Sequence, residues 1–380
     1  MKLTMICEGL AANPPRVTAI DVANFSQILN AAGPNTQITL SNAQGRPIAE
    51  LAPVIQSAGS RNLSLQIDGL RASESQAVQI INSSVGPNTS VDISSINSFT
   101  QQSILNVVSA AAGKKVSVKA NCATASEAQA VFIANAIKDT PIGLGFLALN
   151  ALPSQSIPAV FDAVGSKEIS AELNALTSTI DQAKNVINNA TPATKLSLVN
   201  AEAWGYAGIA QIVQAVGARE FIISINAESM TINDLNNLIQ ITNPNTSLSL
   251  SMAHAIAVGN ISNLINLSAG KKLSFSMSGQ TSTQDQLRAA VTNANGSTST
   301  SIDTAHAVML NVMLDLISTS NNKELALTYN GSQLVVTPTD GNYVVRALQV
   351  AKPTTSITVN SIGVTNFSLQ HTLEIVRAAG

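Results

Sequence analysis

The chain has 380 residues, of which 11% are charged, and its formal net charge is −2. This charge excludes a strongly basic surface for nucleic acid or an anionic membrane, and the 3% aromatic content argues against a platform for stacked bases. With 45% hydrophobic residues, the chain is long enough to bury one large core or two ordinary ones.

The first residues and the cysteines indicate where the protein is made. The short, mostly apolar run after Lys2 ends at Glu8, whereas a secretory signal needs a longer one. Cys7 and Cys122 lie far apart and imply no disulfide framework. The most apolar stretch, residues 141–153, is too short to cross a membrane. We expect a cytoplasmic protein without a membrane span, and translocation into a host cell by a signal-independent route remains open.

A phrase of one apolar, one small polar and a second apolar residue recurs along the whole chain. Most copies follow the previous copy by about 25 to 28 residues. The alternation predicts a β-strand with one face toward solvent, and an amphipathic helix follows each phrase, as in 125–137 and 283–291. The middle residues of the fourteen phrases are Thr4, Thr39, Ser64, Asp92, Ser117, Gly145, Ser170, Ser197, Ser224, Ser249, Ser274, Ser301, Ala326 and Thr358.

Hydroxyl residues followed three positions later by an acid or an amide predict the helix starts, and glycines predict the helix ends. Each repeat is therefore a strand, a loop, a helix and a glycine turn. A crossover of this length makes successive strands parallel. The predicted capping pairs are Ser73–Gln76, Thr124–Glu127, Ser178–Asp181, Thr231–Asp234 and Thr283–Gln286.

Fourteen such repeats can close into a barrel or stack as an open solenoid. A β/α barrel uses eight strands that are apolar on both faces, whereas the phrase here has a polar middle residue. We therefore predict an α/β fold in which residues 1–380 form a single domain. This domain is a right-handed β/α solenoid, a horseshoe with a parallel concave sheet of about 14 strands and convex helices. The middle residues of the phrases are expected to line the concave face in one row.

The phrase, the period and the helix in every repeat together resemble the leucine-rich repeat proteins of the ribonuclease-inhibitor-like β/α class. The resemblance covers essentially the whole chain and implies protein binding. It is divergent, because the family places asparagine or cysteine three residues after the second strand leucine. Asn121 fits this place, but other repeats have Asp68, Ala201, Glu228, Ala253 and Ser278 there. The composition also resembles secreted bacterial effectors, which implies a role in virulence and a host protein as partner.

The concave face of the predicted sheet and one loop supply the candidate partner-binding residues. Three are the charged residues near the middle of the N-terminal half of the sheet, and a fourth is an asparagine in the same outward positions. An isolated charge on a surface is usually only solvated. The charged candidates are therefore either solvated side chains or contacts for a partner. Two more are aromatic residues in a glycine-containing loop, which serve either as interface anchors or as plugs of the core. The candidates are Asp92, Lys119, Glu172, Asn226, Trp204 and Tyr206.

Half of the lysines and arginines directly precede predicted strands, so they must line one edge of the fold. They either complement the C-terminal ends of the helices or form a binding site for an anion or an acidic partner. These residues are Arg61, Lys114, Lys115, Lys167, Lys195, Arg219, Lys271, Lys272, Lys323 and Lys352.

The sequence contains no motif for a zinc site, a phosphate loop or a nucleophile elbow. His254 and His306 occupy equivalent places two repeats apart, too far apart to share a metal directly. We therefore favour a non-catalytic, monomeric protein-binding scaffold without cofactor or metal. One alternative is a structural protein that assembles through uncapped solenoid ends. Another is an enzyme on a β/α barrel.

Overall fold

The computed structural model describes residues 1–8, 21–321, 323–334, 336–337, 341–362 and 368–380. Strands and helices alternate along the chain, as the repeat predicts. The strands are β1 (Lys2–Glu8), β2 (Thr36–Ser41), β3 (Asn62–Asp68), β4 (Thr89–Ser94), β5 (Lys115–Asn121), β6 (Gly143–Leu147), β7 (Ile169–Asn174), β8 (Thr194–Val199), β9 (Phe221–Asn226), β10 (Thr246–Ser251), β11 (Lys272–Ser278), β12 (Thr298–Asp303), β13 (Glu324–Asn330), β14 (Val336–Thr337), β15 (Gly341–Asn342) and β16 (Thr355–Ile362).

Most of the helices are about three turns long. They are α1 (Val22–Ala31), α2 (Ile48–Ser57), α3 (Glu74–Ser83), α4 (Gln101–Ala110), α5 (Glu127–Ile137), α6 (Ile157–Val164), α7 (Ile180–Asn189), α8 (Gly205–Val216), α9 (Ile232–Ile241), α10 (Val258–Leu267), α11 (Gln284–Asn293), α12 (Leu310–Thr319), α13 (Tyr343–Val350) and α14 (Leu369–Ala378).

The sheet is closed, so the prediction of an open horseshoe is wrong. Fourteen strands form one barrel in the order β1-β16-β13-β12-β11-β10-β9-β8-β7-β6-β5-β4-β3-β2, while β14 and β15 form a separate small sheet. The first strand lies parallel between β2 and β16, and the amino group of Met1 donates to the carbonyl oxygen of Pro353 at 3.0 Å. Each of the fourteen strands is therefore paired on both sides, which removes the free ends that assembly by strand pairing would need.

Closure goes together with a stagger that the phrase alone does not reveal. If every strand were aligned with the next without a register shift, the middle residues of successive phrases would pair, as Ser224 and Ser249 do. In five of the eleven strand pairs whose register the structure describes, the earlier strand is instead displaced by two residues, so that Lys119 rather than Ser117 lies beside Gly145. The displacement has the same direction in all five. A sheet that closes on itself requires such a stagger. The five pairs are β1–β2, β5–β6, β7–β8, β8–β9 and β13–β16.

The chain forms two compact units. Compact unit 1 comprises residues 1–92 and 277–380, and it contains the closing strands β1 and β16 together with the packed helices α1 and α14. Compact unit 2 comprises residues 93–276 and contains the strands β5 to β10. The single domain over residues 1–380 stays a prediction.

The alternation within the strands separates a core face from an open face. In β10 the side chains of Leu248 and Leu250 are buried, whereas Ser249 between them is partly exposed. The same pattern is present in most other strands, which confirms the prediction of one apolar and one polar face. We call the side of the sheet that carries these polar, partly exposed side chains the open face, in contrast to the face that is buried in the core.

The helix starts follow the predicted capping chemistry, with small errors of position. The capping boxes predicted at Ser73 and Thr283 are confirmed, and Thr231 also caps its helix. The starts of α5 and α7 lie two and one residues later than predicted, because Ser126 and Thr179 are the N-caps. In each of these two, the side-chain oxygen of the N3 glutamine accepts a hydrogen bond from the backbone N–H of the N-cap.

Candidate partner-binding surface

Alternate repeats differ, so the structural period is a double repeat of 52 or 53 residues. After each even-numbered strand from β2 to β12, one residue that is not glycine has a left-handed backbone with φ of 50° to 54°. Each odd-numbered strand from β3 to β13 lacks this turn and ends in a side chain that accepts from the backbone two residues further on. The six left-handed residues are Asn42, Ser95, Ala148, Asn200, Met252 and Thr304.

A ladder of acceptor side chains joins the repeats within each compact unit. Two residues after the left-handed position, a side chain accepts a hydrogen bond from the backbone N–H that ends the next strand, at 2.8 to 3.4 Å. The acceptors are Gln44, Asn97, Asn150, Glu202 and His306. The sixth equivalent position is His254. The ladder position differs from the place of the family asparagine and holds several residue types, so the family's single-residue pattern does not reveal the ladder.

The ladder and the strand-end turn account for two polar groups of Asn226. Its backbone N–H donates to Glu202 Oε2 at 3.0 Å, and its side-chain Oδ1 accepts from the N–H of Glu228 at 3.0 Å. The side chain thus forms a local turn of the type that asparagine favours. This structural role explains Asn226 without a partner, although its role in partner binding stays a prediction.

Five basic residues before odd-numbered strands hydrogen-bond to helix ends. Their side chains donate to carbonyl oxygens in or just beyond the last turn of the helix one repeat back, at 2.5 to 3.2 Å. Cations are favourable there because the carbonyls of the last turn lack intrahelical partners. This geometry supports the helix-end interpretation over an anion site. The five residues are Arg61, Lys167, Arg219, Lys271 and Lys323.

Replacing Arg219 by alanine is expected to lower the free energy of unfolding by about 1 kcal/mol, because its guanidinium donates to the carbonyl oxygens of Ile187 and Ala190. Arg346→Ala, at an exposed arginine within α13, is the matched control and is expected to change it by less than about 0.5 kcal/mol. Urea denaturation at low and moderate salt measures both. Equal losses in the two variants would contradict the helix-end role of Arg219.

The double repeat reveals an aliphatic patch on the open face of compact unit 2. Four residues before the last residue of the odd-numbered strands, the chain has Ser64, Ser117, Ser170, Ile222, Ser274 and Ala326. The last residues of the even-numbered strands are Ser41, Ser94, Leu147, Val199, Ser251 and Asp303. Three large aliphatic residues therefore stand where the other repeats have small or polar ones. We call Leu147, Val199 and Ile222 the aliphatic patch.

The strand register places Val199 and Ile222 on adjacent strands, β8 and β9, whereas Leu147 on β6 is separated from Val199 by β7. Ser197 pairs with Ile222 on one side and with Glu172 on the other, and Val199 follows two residues after Ser197 on the same face. Leu147, at the end of β6, is on the strand next to Glu172. The Ile222 side chain is 45% exposed, although it lies in the middle of a sheet.

Charged side chains surround the aliphatic patch. Lys195 forms an ion pair with Glu168, and the ammonium of Lys272 lies 3.7 Å from the carboxylate of Glu220. The hydrogen bond and the charge of Glu168 raise the pKa of Lys195, and the charge of Glu220 raises it further. Lys195 and Lys272 therefore belong to the open face rather than to the helix ends.

The structure brings two predicted site residues, Lys119 and Glu172, together at the aliphatic patch. Partial burial raises the pKa of Glu172, opposed by the charge of Lys119 and by a hydrogen bond from the N–H of Ala148. Lys119 is exposed and forms no ion pair within the described part of the chain.

The remaining predicted site residues lie elsewhere. Asp92 belongs to compact unit 1, where its carboxylate accepts from the hydroxyl of Ser64 at 3.2 Å. The indole N–H of Trp204 donates to the carbonyl oxygen of Ser178 at 3.2 Å, which ties this loop to the preceding repeat. Tyr206, in the first turn of α8, is partly exposed. Contact of these three residues with a partner stays a prediction, as does a role of Trp204 as a plug of the core.

The other reactive groups are inert or dispersed. Cys7 and Cys122 are free and buried, and burial raises the pKa of both thiols to about 12. No three histidine, cysteine or carboxylate side chains within the described residues are placed to hold a metal ion. Every helix in the described parts of the chain is too short or too polar to span a bilayer.

Comparisons with known proteins give remote similarities. Neither a protein-family model nor a curated protein matches the sequence. A chain in the Rad7 and Elc1 complex of yeast is 13% identical, with 82% of this chain and 84% of that chain covered and a TM-score of 0.42. The carboxyl transferase domain of Rhizobium etli pyruvate carboxylase is 9% identical over 62% and 44%, with a TM-score of 0.28. Dihydrodipicolinate synthase from Agrobacterium tumefaciens is 16% identical over 72% and 90%, with a TM-score of 0.28. Values this low transfer neither a partner nor an activity to this chain.

Proposed function

We propose that the protein is a non-catalytic binding protein whose partner, another protein, contacts the open face of compact unit 2 at the aliphatic patch. The observation that carries the proposal is Ile222, a half-exposed isoleucine at a repeat position that otherwise holds serine or alanine. An isoleucine there is solvated in the free protein, so its apolar surface contributes little to folding. Burial under a partner would give this surface a function.

The surroundings of the patch have the composition of a protein interface. The three aliphatic side chains lie among charged residues, with Glu172 between Leu147 and Val199, and with Lys119 and Lys195 to the sides. Interfaces commonly combine an apolar centre with a polar rim. The exposed ammonium group of Lys119 favours a partner that presents a carboxylate beside an apolar group.

Affinity capture with variants of the patch tests the proposal. Ile222→Ser, which restores the serine of the other repeats, is expected to weaken capture of a protein partner by about tenfold, since losing one central aliphatic contact costs about 1–2 kcal/mol. Ile241→Ser is the matched control, because Ile241 is 40% exposed at the end of α9, away from the sheet. Wild type and control should retain the partner equally.

Bacterial and eukaryotic lysates are used in parallel, with bound proteins identified by mass spectrometry. A eukaryotic partner that is lost only in Ile222→Ser would support both the binding surface and the effector hypothesis, and a bacterial one would support the surface alone. A partner retained equally by both variants would place the binding site elsewhere. The absence of any specific partner would contradict the proposed function.

A further inference from the structure

Two of the six ladder positions, 254 and 306, are histidine, the residue whose charge changes near neutral pH. The other four are asparagine, glutamine or glutamate, whose side-chain oxygens accept hydrogen bonds without titrating near pH 6. A histidine accepts at this place only as neutral imidazole. The ladder bond at a histidine therefore depends on pH.

His306 is attached to the turn that follows β13 at two points. Its Nδ1 accepts from the backbone N–H of Asn330 at 3.4 Å, and its ring hydrogen-bonds to the side chain of Gln333. Asn330 Oδ1 in turn accepts from the N–H of Ser332 at 3.0 Å and from its hydroxyl at 2.7 Å. Asn330 lies on β13, opposite Asn360 of the closing strand β16.

Protonation of His306 places an N–H on Nδ1, facing the N–H of Asn330. Two donors then oppose each other, and the backbone N–H loses its acceptor. We propose that His306 is a pH-sensitive latch that holds the end of β13 and its following turn closed at neutral pH and releases them in mild acid. This latch lies entirely within compact unit 1.

The groups around His306 do not favour its charged form in the way that those around His254 do. His254 Nε2 lies 3.2 Å from the carboxylate of Glu228, and the residue equivalent to Glu228 for His306 is the neutral Gln280. The titratable groups on the strands flanking His306 are Asp303 on β12 and Glu324 and Tyr329 on β13. Glu324 begins β13, at the end away from the turn, and the Tyr329 side chain is buried in the core.

Burial lowers the pKa of His306 from its usual value near 6.5, with a smaller opposing effect from the Gln333 hydrogen bond. The unfolded or opened state therefore binds a proton more readily than the closed state. Stability of the latch is complete above pH 6.5 and is lost as the pH falls toward the lower pKa of the closed state.

Amide hydrogen exchange by NMR tests the latch in the full chain, with protection factors corrected for the intrinsic pH dependence of exchange. Between pH 7.5 and 5.5, the protection of the Asn330 amide is expected to fall by up to about tenfold per pH unit below 6.5. The Asn174 amide is the internal control, because its acceptor is Asn150. In His306→Asn, which restores the asparagine of two other repeats, protection of Asn330 should be independent of pH.

A second variant and a direct titration keep the test decisive. His306→Ala removes the acceptor and should leave the Asn330 amide weakly protected at both pH values. The C2 proton of His306 should titrate below pH 6.5. The latch would be overturned if His306→Asn kept the pH dependence of the wild type, if His306→Ala kept full protection at pH 7.5, or if His306 titrated at or above 6.5.

Discussion

Replacing Leu250 by alanine is expected to lower the free energy of unfolding by about 2–5 kcal/mol, the range for a buried leucine that leaves a cavity. The Leu250 side chain is 0% exposed and lies between Ile225 and Phe275 on the neighbouring strands, both also buried. The strands on both sides hold these neighbours in place, so the cavity cannot easily collapse. Chemical denaturation followed by circular dichroism measures the loss.

The adjacent residue supplies the control for the Leu250 variant. Ser249→Ala changes a small, partly exposed side chain on the open face, and it is expected to change the free energy of unfolding by less than about 0.5 kcal/mol. The contrast between two consecutive residues tests which face of β10 packs against the core. Equal stability of both variants and the wild type would show that the assigned core face is wrong.

Replacing Asn150 by alanine is expected to cost about 2–4 kcal/mol, because it removes two hydrogen bonds of the ladder at once. Asn150 is 0% exposed, its Oδ1 accepts from the N–H of Asn174 at 2.9 Å, and its Nδ2 donates to the carbonyl oxygen of the same residue at 3.2 Å. Alanine leaves the N–H of Asn174 without its acceptor, and a buried polar group left unsatisfied costs about 1–3 kcal/mol. The carbonyl oxygen of Asn174 loses one hydrogen bond but still accepts from the Ser178 hydroxyl at 2.9 Å.

Asn150→Gln is the matched control, because glutamine performs the same role at Gln44 in another double repeat. It keeps an acceptor and a donor, and we expect it to be the more stable of the two variants in urea denaturation. A glutamine variant as unstable as the alanine variant would show that packing at this site matters more than the hydrogen bonds.

The local elements could be predicted because their causes are local. The alternation of Leu248, Ser249 and Leu250 predicts one buried and one open face, and capping residues such as Ser73 and Thr283 predict helix starts. The predicted starts of α5 and α7 are wrong by one or two residues because each of these helices is preceded by more than one hydroxyl residue within three positions. Backbone geometry then decides which of them is the cap.

The candidate site was predicted only in part. The sequence predicts Lys119 and Glu172 as charges on the exposed face of the sheet. In the structure they are close enough for the charge of Lys119 to lower the pKa of Glu172. Ile222 was missed because the single repeat of 25 to 28 residues treats all strands as equivalent. Comparison at the double repeat of 52 or 53 residues would have shown it as the exception among serines and one alanine.

The acceptor ladder illustrates why chemistry can be retained while residue identity changes. Asparagine, glutamine, glutamate and histidine each carry an acceptor atom at a similar distance from the backbone. In each double repeat this atom accepts a hydrogen bond from the equivalent backbone N–H. A search for one residue type therefore does not detect the ladder. The equivalence of His254 and His306 was visible in the sequence, but its structural role was not.

The repeat, the strands, the helices and the side chains that enter the core follow from the order of residues along the chain. Closure of the sheet does not: it depends on pairing of β1 with β16 and on a stagger of two residues at five of the strand pairs whose register the structure describes. Side chains in a strand alternate with a period of two. A shift of two residues leaves the same side chains in the core, so open and closed sheets have the same hydrophobic pattern.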